Sequence, residues 1–178
     1  MKSVHPFPAR MAPEIIDDLL NACPADAVIL DPMCGSGTVL RKAISTGRRA
    51  IGLDTDPLAI LMSSVSTKKL NQAKVEPELE GILRYVRKFR DRLVIKQTCE
   101  ETELFKQFWF AGEQRRDLHA LSRGIECLER HKKPKAVLDL FRLALSRTIV
   151  TKDKGASLAA DVSHSRPHRV RTVNDFDV

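Results

Sequence analysis

Residues 28–40, VILDPMCGSGTVL, constrain the fold more than any other stretch. An apolar run ends on Asp31, glycines follow at 35 and 37, and Val39, Leu40, Ala43 and Ile44 then recur at helical spacing as far as Gly47. A strand, a tight turn and a helix in that order build a ligand cradle. Glycine lets the backbone approach a bound group, and the first amides of the helix offer donors that the helix itself cannot use.

The neighbouring chain has the same grammar. Ile15, Ile16, Leu19 and Leu20 mark one face of a helix, with Pro13 suited to its first turn. AVILD is short and continuously apolar, which predicts a strand buried on both faces. RRAIGLD supplies a second strand, Ala50 to Asp54, and DPLAILMSSVSTKK a third helix with Asp56 as N-cap and Pro57 at its first position. Helix and strand alternate, so the expected fold is α/β with a parallel sheet. Two strands are too few for a complete sheet of that kind.

Beyond Leu70 the pattern becomes helical. Leu79, Ile82, Leu83, Val86, Phe89 and Leu93 keep a helical period from Pro77 to about Lys96, Leu118 to Leu128 form a second segment, and Val137 to Ala144 a third. The last stretch is polar, basic and without period, and reads as loop. The expected organisation is an α/β portion over 1–72, a helical insertion or subdomain over 73–150, and a basic tail over 151–178.

Three ligands use a glycine turn of this type, and the residues discriminate among them. A triphosphate loop needs a lysine directly before its Ser or Thr, and none stands before Thr38. A dinucleotide loop wants a third glycine for close packing of helix on strand, and Leu40 occupies that place, which weakens this reading without removing it. Asp31, just ahead of the turn, would repel a pyrophosphate but suits the ammonium group of S-adenosylmethionine. Asp54 ends the second strand beside the first turn, placed to accept both hydroxyls of a ribose.

These residues also carry a family resemblance. DPMCGSGTVL resembles the cofactor motif DPFCGSGT of the DNA amino-methyltransferases, which act on N4 of cytosine or N6 of adenine. GRRAIGLDTDPLAILMSSVSTKK resembles the segment that follows it in that family, and HPFPARMAPEIIDDLL the segment that precedes it. The likeness covers roughly Val4 to Leu70 and implies a Rossmann-like methyltransferase fold, incomplete in this chain, with S-adenosylmethionine as cofactor. It places Asp31, Gly35, Ser36, Gly37 and Thr38 around the methionine moiety, with Pro32 in the same motif. Asp54 takes the ribose, Leu53 and Pro57 flank the adenine, and Phe7, Pro8 and Arg10 belong to the leading segment. The tail stretch ASLAADVSHSRPHRV has a weaker likeness to some cytosine-N4 members.

The family presents its target base through a motif of one polar residue, two prolines and one aromatic, which orients the amine of a flipped base. All nine prolines here are isolated, so no catalytic residue is assigned. The expected chain is therefore the N-terminal, cofactor-binding part of a restriction-modification type methyltransferase, truncated or one piece of a split enzyme whose second chain brings the catalytic motif. Cytosine N4 is preferred over adenine N6 as acceptor. A transfer-RNA guanine-N2 methyltransferase and a non-catalytic binding fragment remain the alternatives.

Composition bears on partners. The net charge of +7 suits a polyanion, and DNA is the expected one, through the tail and through RYVRKFRDR, where Arg84, Arg87, Lys88, Arg90 and Arg92 sit on a helix. A solvated basic face is the plainer account of that run. Phe105, Phe108, Trp109 and Phe110 read as anchors of the helical part before a base-stacking surface. The four scattered cysteines imply reduced thiols, and Cys34 reads as a small turn residue rather than a nucleophile. His164 and His168 flank Pro167, which argues against a metal site on a helix, and none is expected. No apolar run is long enough for a membrane span, and MKSVHPFPAR is no export signal, so a cytoplasmic location is expected.

Overall fold

The computed structural model describes residues 11–96, 98–149, 155–160, 168–169 and 176. The chain forms two compact units, Met1–Leu70 and Asn71–Val178. Phe7, Pro8, Arg10 and His164, singled out above, lie outside the described residues.

The first unit holds α1 (Pro13–Ala22), β1 (Val28–Asp31), α2 (Thr38–Ser45), β2 (Arg49–Gly52) and α3 (Pro57–Ser66). β1 and β2 pair in parallel, Val28 opposite Arg49 and Asp31 opposite Gly52, as the alternating pattern requires. Ile16, Leu20 and Ala43, almost wholly buried, join α1 to α2 over Ile29 and Ala50 of the sheet, with Val39 of α2 packed against them. α1 has no basic residue in its last turn, and Arg48 supplies the missing donors from a distance. Its Nη2 reaches the carbonyls of Leu20 at 2.9 Å and Cys23 at 3.2 Å, capping the helix across the sheet edge.

Two expectations need correction here. The second strand ends at Gly52 rather than Asp54, which frees Asp54 to sit in the turn beyond it. β1 is not buried on both faces. Ile29 and Ala50 point into the core, while Val28, Leu30 and Ile51 are 44%, 59% and 52% exposed. The continuous apolar run encodes two coverable faces, and only one is covered by α1 and α2.

The second unit contains α4 (Gln72–Phe89), a short 3-10 turn (Arg90–Arg92), α5 (Glu100–Trp109), α6 (Gly112–Arg130) and α7 (Lys135–Ile149). Ile82 and Val86 of α4, Ala120, Ile125 and Leu128 of α6, and Val137, Leu138 and Phe141 of α7 form its core. α4 starts at Gln72, earlier than expected, and stops at Phe89. Asn71 accepts the Ala73 amide and caps the helix, and Pro77 lies inside it in the second turn, where it forgoes one i→i−4 bond, to Ala73.

Part of the stretch read as loop is ordered and buried. Ala156, Ser157 and Leu158 are at most 2% exposed. Their amides donate to Thr148, Ile149 and Trp109 carbonyls, and Ala159–Ala160 pairs antiparallel with His168–Arg169. Small side chains let the backbone come close enough for those bonds, a signal that helix and strand periodicity does not carry. No helix among the described residues is long and apolar enough to cross a membrane.

Candidate cofactor site

The glycine turn follows β1 and occupies the carboxyl end of the two-stranded sheet, where parallel α/β sheets leave a crevice for ligands. Gly35 and Gly37 have φ of +48° and +80°, the left-handed region that glycine enters without a Cβ penalty. Gly37 is the N-cap of α2, and no side chain caps that helix. Its first amides are therefore open to a ligand carboxylate.

Asp54 connects the two turns. One carboxylate oxygen accepts the Gly35 amide at 2.8 Å and the other accepts the Asp56 amide at 2.9 Å. These amides hold the Asp54 carboxyl below its ordinary value. A carboxylate has about four acceptor positions, so Asp54 keeps acceptor capacity beyond these amides. Asp56 in turn accepts the Leu58 amide at 2.8 Å and starts α3 ahead of Pro57, as its sequence position predicted. Asp31 accepts the Met33 amide at 3.2 Å through one oxygen, and its carbonyl accepts the Leu53 amide at 2.9 Å. The structure thus brings Asp31, Gly35, Gly37, Leu53 and Asp54 together around one bend. Leu53, at 54% exposure, presents an apolar surface at its rim.

Two features that shape the site depend on contacts between separate elements. Gly52 is one. A Cβ there would lie 2.5 Å from Leu40 Cδ1 and 3.1 Å from Cys34 Cβ. The close helix–strand contact that a dinucleotide fold builds with glycine on the helix is made here with glycine on the strand, and Leu40 fills the space. The other is the pair Ser63 and Ser66 on α3. A Cβ on Gly37 would meet Ser63 Cα at 2.9 Å, and Ser66 Oγ donates to the Ser36 carbonyl at 3.4 Å. Small residues at α3 positions three apart admit the turn; a run of serines in a helix was the available signal. Cys34 is buried, with its thiol 3.7 Å from Ser63 Oγ, and packs under Gly52.

The aromatic candidates belong to the second unit. Phe105 and Phe108 are exposed on α5, and the Phe108 and Trp109 rings meet edge to face with centroids 4.9 Å apart. No cluster of three metal-ligating side chains occurs among the described residues.

The model of a DNA methylase family, that of the N6 and N4 methyltransferases, matches residues 3–65. The chain is 26% identical over 120 residues to the type II methyltransferase M.MjaII of Methanocaldococcus jannaschii, covering 65% of this chain and 23% of that one. It is 27% identical over 82 residues to the type II methyltransferase M.MvaI of Kocuria varians, covering 44% of this chain and 18% of that one. It therefore spans a quarter or less of the length of these curated relatives. No solved structure matches it. The matched segment contains the whole strand–turn–helix unit with Asp31 and Asp54, and over residues 3–65 the chain is similar to the DNA amino-methyltransferases.

Proposed function

We propose that the first unit is the S-adenosylmethionine-binding part of a Rossmann-like methyltransferase whose acceptor is the exocyclic amine of a DNA base. The observation that carries this reading is the Asp54 bridge. One acidic residue holds the glycine turn by the Gly35 amide and still keeps acceptor positions towards the crevice. Asp31 faces the ammonium group, the open amides of α2 take the carboxylate, and Gly35, Ser36, Gly37 and Thr38 let the backbone wrap the methionine chain, with Pro32 stiffening the entry to the turn. Asp54 takes the ribose, and Leu53 and Pro57 flank the adenine. Phe7 and Pro8 belong to the same site by resemblance alone.

The cofactor brings an electrophilic methyl group on a sulfonium. What the chain contributes is placement, and alignment of an amine with that methyl carbon is the main source of rate in such a transfer. The residues that present the acceptor base are not identified in this sequence, which has no pair of adjacent prolines. A second polypeptide bringing that motif is the corresponding proposal for a partner. Cytosine N4 is preferred over adenine N6 on the likeness of the tail, which falls largely outside the described residues. The missing motif favours one second reading, a fragment that binds S-adenosylmethionine without transferring its methyl group.

Calorimetry of the chain with S-adenosylmethionine tests the pocket. Asp54→Ala removes the charge-assisted hydrogen bonds to the ribose, so affinity falls about tenfold or more. A folded chain that binds no cofactor, or a mutant that binds equally well, refutes the assignment.

A further inference from the structure

The basic run of α4 separates in the structure into two populations. Arg90 is drawn inward, with Nη2 2.7 Å from Glu113 Oε2 and Nε paired with Asp117, itself buried. It locks the end of α4 onto α6. Arg84, Arg87, Lys88 and Arg92 are exposed, and none of them pairs with a carboxylate among the described residues. Elsewhere in the same unit Arg116, Arg123, Lys133, Lys135 and Arg142 all have carboxylate partners. Glu80 and Asp91 stand at i,i+4 spacing to Arg84 and Arg87, within ordinary helical reach, yet they are not engaged. Arg84 and Lys88 are themselves a like-charge pair at i,i+4, an arrangement that costs helix stability. Lys74, Arg115 and Arg130 also have no carboxylate partner among the described residues, but they are scattered, whereas Arg84, Arg87, Lys88 and Arg92 lie within nine residues at the end of α4 and its 3-10 turn, a concentration of charge suited to an external anion.

We propose that this face of α4 holds the phosphate backbone of duplex DNA. The inference rests on the methyltransferase reading for the identity of the nucleic acid and adds the surface that grips it. Ile82 and Val86, both 3% exposed, pack against α6, so the opposite side of the helix carries the cations. Arg84 to Arg92 spans roughly 12 Å at the helical rise, and duplex DNA presents one phosphate per ~1.7 Å of axis. Single strands are the poorer fit, because they are bound by stacking bases on free rings. The rings on this helix are taken: Tyr85 and Phe89 pack against each other at a 44° tilt with centroids 4.8 Å apart, and Lys88 lies over Phe89 at 5.2 Å. The face offers charge without a platform, which is the chemistry of backbone contact without base readout.

The test uses the full chain, a fluorescein-labelled duplex of random sequence and anisotropy over a range of salt. The triple substitution Arg84→Gln, Arg87→Gln, Lys88→Gln lowers affinity about tenfold or more at low salt. It also flattens the log–log salt slope by about 2–3, since each phosphate contact contributes ~0.9. The control triple Arg116→Gln, Arg123→Gln, Lys133→Gln removes the same charge from paired positions and leaves the slope near that of the parent. Equal effects from the two triples, no duplex binding by the parent, or tighter binding of duplex RNA than DNA each overturn the proposal. Calorimetry with S-adenosylmethionine on the first triple separates the two readings. Retained cofactor binding with a lost slope supports both, whereas a lost slope in a chain that never bound cofactor supports the surface and refutes the pocket.

Discussion

Gly37 and Gly47 share a φ of +80° but not an environment, and substituting each by alanine separates two physical demands on the turn. Both pay the left-handed cost of a Cβ, about 1–2 kcal/mol. Both also gain ~0.4–1 kcal/mol from a less flexible unfolded chain. These terms cancel in the difference. At Gly47 the new methyl group meets nothing within 4 Å, while at Gly37 it meets the Cα and Cβ of Ser63 at 2.9 Å and Ser66 Oγ at 3.1 Å. Backbone cannot rotate away as a side chain can. Restoring an ordinary 3.4 Å contact displaces α3 from the turn by about 0.5 Å, and overpacking of this kind costs ~1–3 kcal/mol. Gly37→Ala is therefore expected to destabilise the first unit by ~1–3 kcal/mol more than Gly47→Ala does. The only tryptophan, Trp109, lies in the other unit and would report on the wrong transition. Hydrogen exchange read on peptides from 28–66 resolves the right one. Equal opening free energies for the two variants, within ~0.5 kcal/mol, would refute the claim that close approach of α3 shapes the turn.

Two further outcomes follow from burial and charge. Ile51→Thr keeps a β-branched residue on the uncovered sheet face and should change stability by no more than ~0.5 kcal/mol. Ile16→Ala, which opens the core under the same sheet, should cost ~2–5 kcal/mol; comparable losses from both in urea titrations would mean that Ile51 is covered in solution. Glu103 accepts from Lys106 Nζ and from the Thr98 amide and hydroxyl, and these contacts hold its carboxyl down to about 2 from an ordinary 4.5. A lowered folded value means stability that is complete above the ordinary value and is lost as pH falls towards about 2. Exchange protection at the start of α5 should fall over that window in the parent and stay flat in Glu103→Gln; an identical pH profile in both would sink the assignment.

What the sequence made legible was local, and what it hid was contact between distant segments. Asp56 before Pro57 and the glycines of the turn announce themselves because capping and positive φ are decided by one or two neighbouring residues. Val28 to Asp31 announced a strand for the same reason, yet its apolar run said nothing of which face would be covered, since that depends on helices elsewhere. The start of α4 is hidden because Pro77 is a louder local signal than Asn71, and the helix runs through that proline at the loss of one backbone bond.

The site shows the same division. The order of Asp31 and Asp54 along the chain puts both beside the turn, whereas Gly52 gives no such local sign, because its reason for being glycine is Leu40, a residue on another element. Leu40 itself was read as a missing glycine. In the structure it is the complementary half of a contact whose small partner moved from helix to strand. The absence of a third glycine therefore does not measure looseness of the turn. It records which of two facing residues gave way, and that choice can be read only once both are seen together.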